Sequence, residues 1–168
     1  AAELLYTHRS PSWRMPATRY TFTAGPVQFF AIDSQAPSLA QWRWLDQELG
    51  SSTARWKIVY GHHPIYSHGA HGDTGYLIND LLPLLRHRAD AYFAGHEHDL
   101  QHLQPEDGVH LFISGGGGAG KRPVTPGPRS LWAASSYGFA VLDADAGALK
   151  VSYFDTELQP LYDYTMRK

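Results

Sequence analysis

Two segments of this 168-residue chain are built alike, and together they restrict the fold more than any other feature. Trp56–Tyr60 is a short, mostly apolar run that stops at Gly61 and is followed at once by His62 and His63. Ala91–Ala94 does the same, stopping at Gly95 before His96-Glu97-His98. Such runs, bounded by glycine, read as buried strands. A glycine at the strand end permits a tight turn and close backbone approach. In open α/β sheets, ligands collect beyond the carboxyl ends of the strands. If the two strands are parallel neighbours, His62, His96 and His98 converge. Neutral imidazole is a favoured ligand for zinc, iron, copper and nickel. Residues two apart in extended backbone point the same way, so the His96-x-His98 pair can grip one ion or place one ligand on each of two ions.

The rest of the chain fits an α/β frame. Residues 7–18 read as irregular. Arg19–Thr23 and Val27–Asp33 are strand candidates. Pro37-Ser38 opens a helix carrying Leu39, Trp42, Leu45 and Leu49 on one face, with Gly50 ending it. A second helix is expected from about Leu77 to His87. From Leu100 onward the pattern becomes hairpins: Leu100–Gln104 with Val109–Ser114, then Tyr137–Leu142 with Leu149–Phe154, and a last strand near Leu161–Met166. The expected fold is α/β with a mixed sheet and an antiparallel β-rich C-terminal portion. Trp42, Trp44, Trp56, Phe29 and Phe30 are the expected aromatic core.

Ten histidines, five of them between His62 and His87, point toward metal or proton chemistry. With no cysteine, thiolate sites and disulfides are excluded. A net charge of −2 and no Lys/Arg run argue against a nucleic-acid partner. No apolar run approaches the roughly 20 residues of a transmembrane segment. The first residues, Ala1–Leu5, lack the basic and apolar regions of a leader.

Val59-Tyr60-Gly61-His62 resembles the V-x-x-H motif, and Gly95-His96-Glu97-His98 the G-H-x-H motif, of calcineurin-like metallophosphoesterases. Within that family the sequence looks like the purple (tartrate-resistant) acid phosphatases. Gln41-Trp42-Arg43-Trp44-Leu45, Gly61–Ser67 and Gly95–Gln101 are similar to that branch as well. The resemblance implies part of a four-layer α/β/β/α sandwich with mixed sheets. It implies His62 and His96 on one metal ion and His98 on the other. His71, nine residues after His62, would contact the phosphate or leaving group as the catalytic histidine, with His63 and His68 as further substrate contacts. The implied cofactors are two metal ions, iron with iron, zinc or manganese. The implied reaction is hydrolysis of a phosphoester, monoesters in this branch, and the implied location is secreted or periplasmic.

The family's D-x-G, G-D-x-x-Y and G-N-H motifs precede V-x-x-H, and none is found there. Residues 1–168 are therefore expected to form a single domain that is the C-terminal half of a larger one. Activity would require the missing N-terminal half as partner, with a non-catalytic metal- or partner-binding remnant as the alternative. Three look-alike motifs are set aside. Gly72-Asp73-Thr74-Gly75-Tyr76 lies on the wrong side of His62, and Asp145-Ala146-Gly147 is a hairpin turn. Gly115–Lys121 approaches a phosphate loop, but Arg122-Pro123 follows where Ser or Thr and a helix are required. Other histidine-rich hydrolases fit less well. The metallo-β-lactamase H-x-H-x-D-H pattern finds its aspartate one place early, at Asp99, and its last histidine one place late, at His102. A cupin needs a carboxylate where Gln101 or His102 stands, and an amidohydrolase barrel needs a longer chain.

Overall fold

In the computed structural model, residues 2–168 are described. A short helix α1 (Ala2–Tyr6) precedes the hairpin of β1 (Tyr20–Ala24) and β2 (Val27–Ala31). α2 (Leu39–Ser51) then crosses over to β3 (Trp56–Tyr60), which lies parallel to β2. A second crossover, a π-turn at Leu77–Leu81 continuing into α3 (Leu82–Leu85), leads to β4 (Ala91–Ala94), parallel to β3. β5 (Leu100–Glu106) and β6 (Val109–Ser114) form a hairpin whose second strand runs parallel to β4. β7 (Ser130–Ala134) closes this sheet against β5, giving the order β1-β2-β3-β4-β6-β5-β7. β8 (Phe139–Ala144), β9 (Ala148–Phe154) and β10 (Pro160–Arg167) form a separate antiparallel sheet, ordered β10-β9-β8.

Period-two alternation in the parallel strands divides the core in two. Phe30, Val59 and Tyr92 face the helices and pack with Leu45, Leu49, Leu81 and Leu85. Ile58, Ala91 and Phe112 face the second sheet and pack with Leu149, Val151 and Tyr153. Complete burial of each large side chain contributes about 1.5–3 kcal/mol. Two polar contacts lock the sheets together. Trp56 donates its indole N–H to the Asp145 carbonyl at 2.7 Å, and the buried Tyr153 hydroxyl lies 2.9 and 3.0 Å from the Gln101 and Ile113 carbonyls.

Four details differ from the sequence reading. In α2, Leu39 is 73% exposed; the buried face is Gln41, Trp42, Leu45 and Leu49, with Ser38 capping the Gln41 amide. That helix ends at Ser51, past Gly50. The second helix stops at Leu85, and His87 turns left-handed with φ 57. Its first turn is wide because Pro83 has no amide hydrogen for the Asn79 carbonyl. β7 was not anticipated, since an edge strand after a glycine- and proline-rich loop carries little alternation.

Candidate metal centre

β3 and β4 are in register with Tyr60 opposite Phe93, so both glycines leave the sheet side by side. The Gly61 amide donates to the Phe93 carbonyl at 3.1 Å, and the Gly95 amide to the His62 carbonyl at 3.0 Å. These two bonds zip the following turns together. His96 sits in the left-handed region, with φ 64, a conformation costing about 1–2 kcal/mol for a non-glycine residue. The result is direct: His62 Nε2 and His96 Nδ1 are 3.1 Å apart.

His63 joins them, and one nitrogen from each of His62, His63 and His96 falls within 4.8 Å of the others. The His71 ring lies 4.3 Å from that of His96. Burial is the main cause that lowers the pKa of both His63 and His96, followed by neighbouring histidines: His62 beside His63, and His63, His71 and His62 beside His96. Both rings are therefore held toward the neutral form that binds metals.

His98 is not in this tight group. Its Nδ1 lies 2.8 Å from the Gly120 carbonyl. A carbonyl can only accept, so Nδ1 carries the proton and Nε2 keeps a free lone pair. The His71 loop is organised by Glu97, which is fully buried. One oxygen of Glu97 accepts the amides of His71 (2.8 Å) and Gly72 (3.2 Å), and the other lies 3.2 Å from His71 Nδ1. Beneath it, Asp99 is buried with one oxygen bonded by Gln101, and burial pushes its pKa up to about 6. His68 lies apart: its ring packs against Gly127, and it lines a pocket with Ser67, Gly72, Asp73, Pro128 and Arg129.

The sequence reading missed Arg122. Its guanidinium donates to the His96 carbonyl at 3.0 Å and lies 3.4 Å from His71 Nδ1, placing a cation at the rim. It stands in the glycine-rich loop after β6, in the very position that argued against a phosphate loop.

These donors suit a metal. Two ligands at roughly 2.0–2.1 Å from one ion, near a right angle, stand about 3 Å apart, as His62 and His96 do. No carboxylate joins the tight group among the described residues.

The architecture has close counterparts. The structure superposes on purple acid phosphatase PPD1 from yellow lupin with a TM-score of 0.81 at 20% identity, over 92% of this chain and 34% of that one. It matches GAP50, described as the anchor in the inner membrane complex of Plasmodium, with a TM-score of 0.80 at 25% identity, over 99% of this chain and 61% of that one. In sequence, it is 31% identical over 144 residues to a tartrate-resistant acid phosphatase type 5 from Sus scrofa, covering 70% of this chain. It is 45% identical over 95 residues to purple acid phosphatase 17 of Arabidopsis thaliana, covering 53%. The calcineurin-like phosphoesterase profile matches residues 5–100, and the chain belongs to that family. The chain spans 42% and 28% of the lengths of these two curated relatives.

Proposed function

We propose that this chain is the histidine-bearing C-terminal half of a phosphoesterase domain that hydrolyses phosphate monoesters at a dinuclear metal centre. The observation that carries this reading is the 3.1 Å approach of His62 Nε2 to His96 Nδ1 at the ends of two parallel strands. In this reading, His62 and His96 hold one ion and His98, through its free Nε2, holds the other. Metal ions at such a site neutralise phosphoryl charge and lower the pKa of a bound water; by family resemblance they are iron paired with iron, zinc or manganese. His71 is held by Glu97 through Nδ1, so that Nε2 is free to pass a proton to the departing alkoxide. Arg122 supplies positive charge beside it. His63 and His68 remain proposed substrate contacts, with His68 reaching substrate only at its outer end. A secreted or periplasmic location is proposed on the same resemblance.

The need for another half has support in the surface. β8 pairs only with β9 among the described residues. Beside its free edge, the seven-stranded sheet presents an apolar hollow of about 280 Å³ lined by Phe22, Phe29, Ile58, Tyr60, Phe93 and Leu142. Phe22, Phe139 and Val141 are 45%, 42% and 42% exposed. Exposed apolar surface beside an open strand edge favours further strands as its occupant. The lengths of the relatives fit an N-terminal half in that role. A second reading, a non-catalytic partner-binding unit, draws support from the neighbour described as an anchor.

The test measures hydrolysis of an aryl phosphate by the 168-residue chain with iron, zinc or manganese, alone and with the N-terminal half of a related acid phosphatase. Metal binding without turnover, and turnover on adding the second half, are expected. Enzyme-like turnover by the chain alone would overturn the half-domain claim. Failure to bind any of the metals would overturn the site.

A further inference from the structure

Ser34, just past the end of β2, is 1% exposed and lies beneath the turn that carries His62 and His63. Its Oγ accepts the His62 amide at 3.0 Å and the His63 amide at 2.9 Å. The same oxygen lies 3.0 Å from His63 Nδ1. Gly61 makes this approach possible: a Cβ there would fall 3.4 Å from Ser34 Cβ and 2.9 Å from the Tyr92 hydroxyl. Tyr92 in turn donates to the His63 carbonyl at 2.7 Å, and Tyr76 to the Ser34 carbonyl at 2.5 Å. The turn is thus held from below by three hydroxyls.

Counting hydrogens decides what His63 can do. A serine hydroxyl has one hydrogen and two lone pairs. Both lone pairs are occupied by the His62 and His63 amides. The hydrogen is then the only part of the hydroxyl left for His63 Nδ1, which accepts it against the weaker pull of the Ser34 carbonyl on a ring N–H. An imidazole that accepts at Nδ1 carries its own hydrogen on Nε2. His98 is the opposite case, because the Gly120 carbonyl behind its Nδ1 can only accept, and its Nε2 is left as a lone pair.

We propose that Ser34 is a positioning residue that fixes His63 as a hydrogen-bond donor at Nε2. His63 is thereby excluded from the metal ligands and reserved for an oxyanion. The tight group of three rings then divides by chemistry: the facing nitrogens of His62 and His96, 3.1 Å apart, share one hydrogen that a metal ion would displace, and His63 offers an N–H. Proximity alone would have made all three ligands. A phosphoryl oxygen is the oxyanion that the family reading supplies, and that identity rests on the proposed function. The tautomer assignment does not.

The experiment is imidazole ¹⁵N–¹H correlation spectroscopy on the 168-residue chain at mildly alkaline pH, before and after addition of zinc alone. His63 is expected to show an unprotonated Nδ1 and a protonated Nε2, and to keep both when zinc moves the His62 and His96 signals. Ser34→Ala should replace that pattern by a mixture of tautomers, and Ser34→Thr, which keeps the hydroxyl, should restore it. Because Ser34→Ala removes the partner of two amides and can unfold the turn, His63→Ala provides a second arm. It should change zinc affinity little, while His96→Ala lowers it by about tenfold or more. A proton on Nδ1 of His63 in the wild type, or a loss of zinc affinity in His63→Ala equal to that in His96→Ala, would overturn the proposal. If zinc moves no histidine signal, the metal-site reading fails, while the tautomer pattern still decides the role of Ser34.

Discussion

Acid should destabilise this protein through a histidine outside the proposed metal site. His102, in β5, is fully buried between the sheets. It stacks on Phe112 at 4.2 Å, its Nδ1 lies 2.9 Å from the Tyr162 hydroxyl, and its Nε2 lies 3.4 Å from His110 Nδ1. Burial, and then the neighbouring His110, lowers its pKa from 6.5 to about 3. The unfolded chain therefore takes up a proton that the folded chain refuses. Stability from this group is fully present above pH 6.5 and is lost as pH falls toward about 3. Each pH unit inside that window costs about 1.4 kcal/mol, so two units cost about 2.7 kcal/mol. Against a total of about 5–15 kcal/mol, that is a large share. With a urea slope of about 2 kcal/mol per molar, the midpoint should fall by roughly 1.4 M over those two units.

Carboxylates titrate in part of the same range, so the comparison is with His102→Gln, whose side chain stays neutral. The wild-type pH slope should exceed that of the variant by about 1.4 kcal/mol per unit. The variant should be the less stable protein at pH 8, by about 2 kcal/mol, for lost stacking and packing. That advantage should vanish near pH 5, where the curves cross. Urea titrations followed by tryptophan fluorescence across this range provide the measurement. Parallel slopes in the two proteins would refute the reasoning.

Further outcomes follow from single contacts. Gly115→Ala would put a Cβ 1.7 Å from the Glu97 carbonyl oxygen, a backbone clash expected to cost more than about 3 kcal/mol in urea unfolding. Gly117→Ala, with nothing within 4 Å, should stay within about 0.5 kcal/mol. Glu97→Ala leaves the His71 and Gly72 amides without their acceptor; amide exchange at both should accelerate more than tenfold, for a local cost of about 1–3 kcal/mol. Calorimetric zinc titration should show a loss of about tenfold or more in His62→Ala and no change in His68→Ala, whose ring lies against Gly127.

Much of the frame was legible because local pattern and tertiary structure agree. Trp56–Tyr60 and Ala91–Ala94 are buried on both faces, so their apolar continuity and terminal glycines marked them as buried strands with histidines at their ends, and their pairing in register proved parallel. Ser38 before an apolar periodic run marked the start of α2. Leu39 misled because a hydrophobic residue in the first turn satisfies the periodicity whether or not anything packs over it. β7 was hidden because its strand identity comes from pairing with β5, across a loop whose length carries no local signal.

The sequence by itself determined the family and the α/β frame, and it placed His62 and His96 at neighbouring strand ends, since strand-end position and spacing are properties of the chain. That His63 rather than His98 completes the tight group was decided by folding. Only the tertiary structure decided what each ring can do there. Ser34, Glu97, the Gly120 carbonyl and Arg122 reach His63, His71, His98 and His96 from 29, 26, 22 and 26 residues away. They set whether a nitrogen donates, accepts or stays free to bind. A proton's position depends on the partner behind the ring, and that partner is chosen by folding.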